Sequence, residues 1–325
     1  MVYKVAIIGA GIISKSHLKA INEIEKLQAV AIADIQENKL QELTSELVKP
    51  YTNYKEMVET ERPDIVVITL PHFLHKEAAV WCANQGCHVM LEKPMALNCL
   101  ECDEIIKAMK ENNVQLLVGH TQHYMAENLK AKAIIESEEL GHLVMINDTR
   151  HLNYYSPKRP AWFFEKEKAG GGIMMNLGSH SIDKIQWLTG SEVTSVKASL
   201  SYYGQKGNVE GSGLVFLETS KKVTATISMS GYAGVPKNQT EFIFTNGMLK
   251  LLSGQGLWVT KGGEYQEIKI TETIKPFRLK YYDLLRGIEQ NRELNSSNSY
   301  AKSIISVLET IYRSHECGRE LPVRK

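Results

Sequence analysis

The sequence has few cysteines, no excess of either charge and no long apolar run, and each shortage excludes a class of protein. Its 325 residues include five cysteines, an odd number at irregular spacings. This argues against a disulfide framework and favours a reducing, cytoplasmic setting. Lys and Arg total 38 against 37 Asp and Glu, so no basic surplus is present to bind nucleic acid. The longest apolar runs, such as 65–70, have the length of a strand and fall far short of the roughly 18 residues of a membrane span.

Length and composition indicate a soluble protein of two domains, because 325 residues with 43% hydrophobic content exceed one ordinary domain. Residues 1–120 alternate apolar runs with helix-like segments, which predicts an α/β domain with a doubly wound parallel sheet. Leu40, Leu43 and Leu47 indicate a polar helix, and Asn98 with Glu101 indicates a helix cap and its reciprocal acid. The predicted strands lie at 5–10, 28–34, 64–70, 88–94 and 114–120, and further helices at 75–85 and 98–112.

Residues 121–325 follow a different pattern. Apolar and polar residues alternate at 196–202 and 223–229, which is typical of half-exposed antiparallel strands. Asn246-Gly247 and Gly262-Gly263 indicate two hairpin turns. The pattern predicts an α+β domain with a mostly antiparallel sheet. Helices at 279–290 and 299–316 are expected to pack back on the first domain.

A glycine-rich loop, Gly9-Ala10-Gly11, separates the first strand from the first helix. Its glycines permit a tight turn and a close approach of pyrophosphate to the helix start at Ile12 and Ile13. Asp34 ends the second strand, where a carboxylate accepts hydrogen bonds from ribose hydroxyls and repels a 2′-phosphate. The loop therefore predicts NAD(H) in preference to NADP(H). The alternative is a turn that uses glycine for steric reasons alone.

Glu92-Lys93-Pro94 closes a predicted core strand at the edge where open α/β sheets bind ligands. A partly desolvated lysine there is a strong donor to a substrate oxygen. The alternative is an ordinary surface lysine in a loop.

A triple glycine at 170–172 leads into a predicted helix at 173–188 that places Asn176, His180 and Asp183 on one face. His180 can titrate near neutrality and act as general acid or base, although a lone helical histidine can equally be structural.

Several separated motifs resemble the glucose–fructose oxidoreductase / inositol dehydrogenase / MocA family. They are VAIIGAGIISKSHLKAI, TLPHFLHKEAAVWCANQGCHVMLEKPMA, GGGIMMNLGSHSIDKIQWLTG and RSHECGREL. The resemblance implies a Rossmann domain followed by an α/β domain with a large open, mostly antiparallel sheet, and a homodimer or homotetramer. It also implies a catalytic lysine at Lys93, a cis Lys93–Pro94 peptide and a catalytic histidine at His180.

The chain departs from the family pattern at two positions. The commonest version has Asp where this chain has Asn176, and an amide orients a hydroxyl but carries no proton. We therefore expect His180 to transfer the proton and Lys93 to polarise the oxygen. The resemblance also implies a cofactor pocket formed by Thr69, Pro71, His72, His75 and Glu92, in which His72 replaces the usual Asn.

Further substrate contacts are expected near the second domain. His120 and His123-Tyr124 stand where the family often has an Arg-aromatic pair. Arg150, Tyr154, Tyr155 and Trp162 suit a polyhydroxylated ring, although core packing explains each equally well. Cys99 and Cys102 lack the further ligands of a zinc site, so no metal is expected.

The sequence thus predicts an NAD(H)-dependent oxidoreductase that acts on a secondary alcohol or ketone of a sugar, sugar derivative or cyclitol. Two alternatives remain open. One is a redox-assisted glycosidase that holds NAD, and the other is a non-catalytic dinucleotide or sugar sensor.

Overall fold

A computed structural model describes residues 1–204, 206–271, 274–290, 292, 294 and 297–324. The chain divides into two compact units. Unit 1 comprises residues 1–121 and 274–302, and unit 2 comprises residues 122–273 and 303–325. Of the helices in the described part, none combines the length and apolar character needed to cross a lipid bilayer.

The strands are β1 Tyr3–Ile8, β2 Leu27–Ala33, β3 Lys49–Tyr51, β4 Ile65–Ile68, β5 His88–Leu91, β6 Leu116–Val118, β7 Leu143–His151, β8 Val193–Ser201, β9 Ser212–Thr219, β10 Thr224–Ser230, β11 Lys237–Phe244, β12 Gly247–Leu252, β13 Gly256–Lys261, β14 Glu264–Ile268 and β15 Leu321–Pro322. The α-helices are α1 Ile12–Asn22, α2 Glu37–Leu40, α3 Tyr54–Glu61, α4 His75–Asn84, α5 Cys99–Glu111, α6 Ala126–Ser137, α7 Lys166–Ala169, α8 Ser179–Thr189, α9 Pro276–Gln290 and α10 Asn298–Cys317.

Unit 1 is built on a parallel sheet with the strand order β3-β2-β1-β4-β5-β6, which confirms the predicted doubly wound fold. Its central strands are continuous apolar runs because helices cover both faces of the sheet. The strand order reverses between β1 and β4, so the chain leaves these two strands in opposite directions. Open α/β sheets bind ligands at such a point, outside the carboxyl ends of the strands.

Two local predictions in unit 1 need correction. The helix inferred from Leu40, Leu43 and Leu47 ends at Leu40, and Leu47 is 71% exposed. The reason is a turn in which Ser45 N donates to Val48 O before β3 begins. At α5, Asn98 Oδ1 accepts from Glu101 N as predicted, but Glu101 Oε2 accepts from Leu97 N, one residue before the cap.

The C-terminal helix α9 is part of unit 1. Its residues Tyr281, Leu284 and Leu285 are buried in one cluster with Ile7 of β1 and Ile21 of α1. The later part of α10, from Ser303 onward, belongs to unit 2. There Ser314 Oγ accepts from Ala198 N of β8.

Unit 2 contains a nine-stranded sheet with the order β14-β13-β12-β11-β7-β10-β9-β8-β15. The sheet is mostly antiparallel, as predicted, and β7 with β10 forms a parallel pair. The turn at Gly262-Gly263 is confirmed, because both residues have positive φ between paired Lys261 and Glu264. The other hairpin forms one residue earlier than predicted: Phe244 pairs with Gly247, so Thr245 and Asn246 make the turn.

A buried ion pair fixes α8 to the sheet of unit 2. Lys184 Nζ lies 2.9 Å from Asp148 Oδ1 and donates to Thr240 Oγ1 at 2.7 Å, while Ser181 Oγ donates to Asp148 Oδ2. Burial by itself raises the pKa of Asp148, but Lys184 and the hydroxyls of Ser181 and Thr240 lower it by more than burial raises it. The net pKa therefore lies below its ordinary value. The pair therefore holds two full charges away from water.

We expect Lys184→Met to lower the free energy of unfolding of unit 2 by about 3–5 kcal/mol, because it leaves the Asp148 carboxylate buried without its cation. Urea unfolding followed by the fluorescence of Trp187, which lies on the same helix, measures this loss.

The matched control is Lys222→Met, which removes the exposed Lys222–Glu218 pair and should leave the urea midpoint unchanged. The double variant Asp148→Asn with Lys184→Met should recover part of the loss. A Lys184→Met midpoint equal to that of the wild type contradicts this account.

Candidate functional site

The glycine loop of unit 1 and the carboxylate of Asp34 are joined by backbone hydrogen bonds. Asp34 Oδ2 accepts from Ala10 N at 2.8 Å, and Asp34 Oδ1 accepts from Gln36 N at 2.9 Å. Each oxygen thus accepts one amide, and a carboxylate has about four acceptor sites. The carboxylate is held beside the loop with acceptor capacity left for two hydroxyl groups.

The two loop glycines are required for different reasons. Gly9 has φ +101°, and an added Cβ would lie 2.8 Å from Thr69 Oγ1, so the fold itself demands glycine there. At Gly11, by contrast, a Cβ would meet no atom of the described chain within 4 Å. The space beside Gly11 and the amides at the start of α1 fit a dinucleotide pyrophosphate. Ser14, at the third position of the motif, is fully buried, as close helix–strand packing requires.

The segment Thr69–His75 follows β4 at the same sheet edge. Thr69 Oγ1 donates to Gly9 O at 2.8 Å, which ties this segment to the glycine loop. The two ring nitrogens of His75 lie 2.8 Å from Pro94 O and Leu70 O. Burial lowers the pKa of His75, and the two carbonyls partly oppose that shift. His72 is also buried, and Pro71 is half-buried. His75 thus joins the loop after β4 to the loop after β5.

Glu92 is directed into an internal network of unit 1. Its Oε1 lies 3.0 Å from His17 Nε2 and 3.2 Å from Lys280 Nζ, and His17 Nδ1 lies 2.7 Å from Tyr281 Oη. Burial raises the pKa of Glu92, but Lys280 and His17 lower it more, so the net pKa is well below its ordinary value. Burial also lowers the pKa of His17, partly opposed by Glu92. The next residue, Lys93, is half-buried, and the Lys93–Pro94 peptide is cis, as the resemblance implies.

In unit 2, the triple glycine makes room for the Tyr312 hydroxyl and for the backbone carbonyl of Glu210. A Cβ on Gly171 would collide with the Tyr312 hydroxyl, and one on Gly172 would collide with Glu210 O. The Glu210 carboxylate accepts from Gly172 N and Met174 N at 2.8 Å, and from Tyr312 Oη at 2.9 Å. Burial raises the pKa of Glu210, and these donors partly oppose that shift. Glu210 therefore fixes the start of the helix that carries Asn176 and His180.

The segment predicted as a helix at 173–188 is helical, but its first part, Met174–Gly178, is a π-helix and the regular helix α8 begins at Ser179. The spacing along one face therefore differs from the predicted α-helical one. Glu210 caps the start of this segment by accepting from the amides of Gly172 and Met174. Asn176 is buried on the π-helix, and His180 is half-buried on α8. The Tyr154 side chain is fully buried, and its hydroxyl interacts with the Asn176 amide. Burial raises the pKa of Tyr154, and Asn176 partly opposes that shift.

The other expected substrate residues are mostly packed into their units. In unit 2, His123 Nε2 lies 2.6 Å from Asp183 Oδ1, and the His123 ring stacks on Trp187 at 4.6 Å. Asp183 thus pairs with His123, and both are buried. The remaining aromatic side chains pack against other rings, with these distances between ring centres: Tyr124 to His123 6.3 Å, Tyr155 to Phe164 5.5 Å, Trp162 to Phe163 3.7 Å and, in unit 1, His120 to Tyr300 6.2 Å.

Four side chains that the motifs did not indicate hold these sites together: Glu210 and Tyr312 in unit 2, and Lys280 and Tyr281 in unit 1. A signal for Lys280 was available, because it interrupts the apolar face formed by Phe277, Tyr281 and Leu284 of α9. Across the described ranges, no group of three His, Cys, Asp or Glu side chains is arranged to hold a metal ion. Cys102 is buried on α5.

The chain resembles known proteins along most of its length. An inositol 2-dehydrogenase of Salmonella paratyphi B is 26% identical over 238 residues, 70% of this chain and 67% of that protein. A 2,7-anhydro-N-acetylneuraminate hydratase of Mediterraneibacter gnavus is 25% identical over 253 residues, 76% of this chain and 66% of that protein. The chain therefore spans about two thirds of the length of these curated relatives. An aldose-aldose oxidoreductase from Caulobacter crescentus has the same fold, with a TM-score of 0.90, 23% identity and coverage of 99% of this chain and 100% of that one.

Two family domains match the chain in order. Residues 3–120 match the family described as "Oxidoreductase family, NAD-binding Rossmann fold", and residues 128–250 match the "GFO/IDH/MocA C-terminal domain". These two matches cover the glycine loop, Lys93 and the helix of His180. The chain belongs to the GFO/IDH/MocA family of NAD-binding oxidoreductases.

Proposed function

We propose that the protein transfers a hydride between NAD(H) and a secondary alcohol or ketone of a sugar, a sugar derivative or a cyclitol. One observation carries the proposal. Lys93 follows β5 at the same sheet edge where Gly9–Gly11 follows β1 and Thr69 follows β4. A lysine at the nucleotide-binding edge of a family of oxidoreductases is in place to act on a substrate oxygen.

The cofactor is proposed to lie along this edge. The amides of Ile12 and Ile13 bind its pyrophosphate, and Asp34 accepts hydrogen bonds from the adenosine ribose. Thr69, Pro71, His72 and His75 shape the neighbouring loop. NAD supplies the carbon that accepts or releases the hydride.

The proton and the hydride leave the substrate separately. In the oxidation of an alcohol, bound NAD⁺ would supply the hydride acceptor and His180 would take the O–H proton, so that the products would be the ketone, NADH and protonated His180. Lys93 donates a hydrogen bond to the oxygen and stabilises its developing negative charge. Asn176, buried beside Tyr154, orients the hydroxyl through its amide.

A second candidate uses bound NAD without net reduction, as in a redox-assisted glycoside cleavage. One observation favours it: a relative of this chain is a hydratase of an anhydro sugar rather than a dehydrogenase. Sugar consumption without accumulation of NADH distinguishes it from the main proposal. A non-catalytic sensor would bind the sugar and turn over nothing.

We also propose a cytoplasmic homodimer or homotetramer that forms through the outer face of the unit 2 sheet. Leu214 and Phe216 are adjacent outward positions on β9 and are 65% and 43% exposed. Polar residues surround them on β10, where Thr226 and Ser228 are their paired neighbours. Two exposed apolar side chains on a flat sheet favour burial against a second copy.

Gly11→Ala should weaken NADH binding without changing the stability of the protein. The new Cβ meets no described atom and φ at Gly11 is −78°, so the urea midpoint should not change. The dissociation constant of NADH should rise about tenfold, or roughly 1.4 kcal/mol, because the methyl group occupies the pyrophosphate position. NADH fluorescence titration measures this constant. Gly9→Ala, the matched control, should lose stability as well, and unchanged NADH binding by Gly11→Ala would refute the proposed cofactor position.

The wild type should bind NADH about tenfold or more tightly than NADPH, because Asp34 repels a 2′-phosphate. Asp34→Asn should reduce this ratio by removing the charge while keeping the size of the side chain. The control is Asp64→Asn, since Asp64 also accepts a backbone amide, from Lys4, in the same unit. Paired titrations of the two cofactors give the ratio, and equal or tighter NADPH binding by the wild type contradicts the preference.

Lys93→Met should lower kcat on an identified substrate by about 10²–10³ while NADH binding stays close to that of the wild type. His180→Asn should lower kcat by about 10²–10⁴ and remove one ionisation from the pH profile of kcat. A panel of sugars, inositols and nucleotide sugars, read by NADH absorbance, identifies the substrate first.

The controls are Lys76→Met in unit 1 and His142→Asn in unit 2, both away from the proposed site. Lys93→Met that folds, binds NADH and turns over at a near-normal rate would defeat the assignment.

A further inference from the structure

Arg150 lies on the inner face of the unit 2 sheet. Side chains alternate along β7, so Ile146, Asp148 and Arg150 share the face that packs against α8, and Ile146 and Asp148 on it are fully buried. Arg150 pairs with Met229 of β10 on one side and with Asn238 of β11 on the other. A cation therefore occupies a position that the sheet otherwise uses for its interior.

The position of Arg150 relative to the helix follows from the register. Asp148, one rung away, contacts Ser181 and Lys184 of α8. On the rung of Arg150, Gly213 pairs with Met229, and a Cβ on Gly213 would lie 3.0 Å from Met174 Sδ. Met174 of the π-helix that carries Asn176 thus lies against Gly213, which is two strands away from Arg150 on the same rung.

The charge of Arg150 has no carboxylate partner in the described chain. Asp148 already binds Lys184, Ser181 and Thr240. Across residues 1–204, 206–271 and the rest of the described chain, no hydrogen bond or ion pair of the Arg150 guanidinium occurs. Burial lowers the pKa of Arg150, and Asp148 only partly opposes this. Arg150 is half-buried, and an arginine stays protonated in proteins, so its guanidinium offers a full positive charge to a ligand.

A second guanidinium lies near Asn176. Arg159 Nε donates to Tyr154 O at 2.7 Å, and its Cζ lies 4.1 Å from the centre of the Tyr154 ring. The Tyr154 hydroxyl in turn interacts with the Asn176 amide. Burial lowers the pKa of Arg159 as well. Tyr154 therefore lies within the influence of one cation, Arg159, and of one carboxylate, Glu210, which shift its pKa in opposite directions.

We propose that the substrate carries an anionic group, a carboxylate or a phosphate, and that Arg150 binds it. The inference rests on the proposed function, since it describes the substrate of that site. Arginine presents a planar fork that matches either oxyanion with two hydrogen bonds. The half-buried guanidinium is accessible to such a group, and its reduced exposure to water strengthens a charge pair that a neutral sugar cannot form.

The test measures binding apart from turnover. Calorimetry on the NAD⁺-loaded protein compares glucose with glucuronate and glucose 6-phosphate, and inositol with inositol phosphate. We expect at least one acidic compound to bind the wild type about tenfold or more tightly than its neutral counterpart. Comparison of glucuronate with the two phosphorylated compounds shows whether the site prefers a carboxylate or a phosphate. Equal binding of every pair, or no binding of any member, overturns the proposal.

Arg150→Gln should abolish this preference, so that the acidic compound of each pair binds no more tightly than its neutral counterpart. Arg150→Lys, which keeps the charge without the fork, should retain part of it and guards against loss of folding in the first variant. The control Lys237→Gln removes the same charge from an exposed position on β11 and should retain the preference in full. If Arg150→Gln weakens the binding of acidic and neutral compounds by the same factor, the inference is wrong. Arg150-dependent binding without NADH formation from any compound would instead count against the oxidoreductase proposal.

Discussion

The ion pair between Glu92 and Lys280 joins the end of a central strand to a helix 188 residues later in the chain. Both side chains are mostly withdrawn from water, so neither charge is tolerable without the other. His17 adds α1, the helix that begins at the glycine loop, to the same carboxylate. The residue after Glu92 is Lys93. One buried carboxylate therefore fixes the glycine-loop helix, the start of the Lys93 loop and α9 together, which explains why unit 1 is discontinuous in sequence.

Unit 2 uses the same physical device twice for the helix of His180. Glu210 binds the amides that start the helical segment, and Asp148 binds Lys184 one turn further along α8 than Ser181. A buried carboxylate with several donors resists small displacements, because any lost hydrogen bond leaves a desolvated charge. The segment is therefore fixed along two turns. Arg150 is the contrasting case, a half-buried cation on the same sheet face whose guanidinium has no hydrogen bond or ion pair within the described residues.

Features that depend on neighbouring residues in sequence could be predicted, and features that depend on distant side chains could not. The parallel strands, the glycine loop and its pairing with Asp34 follow from local periodicity and turn chemistry. The segment that begins with the π-helix Met174–Gly178 is capped by Glu210, which is 36 residues away from Met174 in sequence. Likewise, the motif suggested that Glu92 faces the cofactor, whereas His17 and Lys280 draw its carboxylate inward. No local pattern contains that information.

A motif residue can act on a ligand or on the protein, and the use of its polar atoms separates the two cases. His75 has a backbone carbonyl 2.8 Å from each ring nitrogen, so both nitrogens face the protein within unit 1. Each carboxylate oxygen of Asp34 accepts one backbone amide and has a further acceptor site. The carboxylate lies beside the glycine loop, where Gly11 leaves room for a ligand. By this criterion Asp34 and Gly11 leave atoms and space available to a ligand, while the polar atoms of Glu92 and His75 are directed at the protein. A ligand-binding edge thus needs residues that hold its loops as well as residues that face the ligand, and a sequence motif contains both kinds.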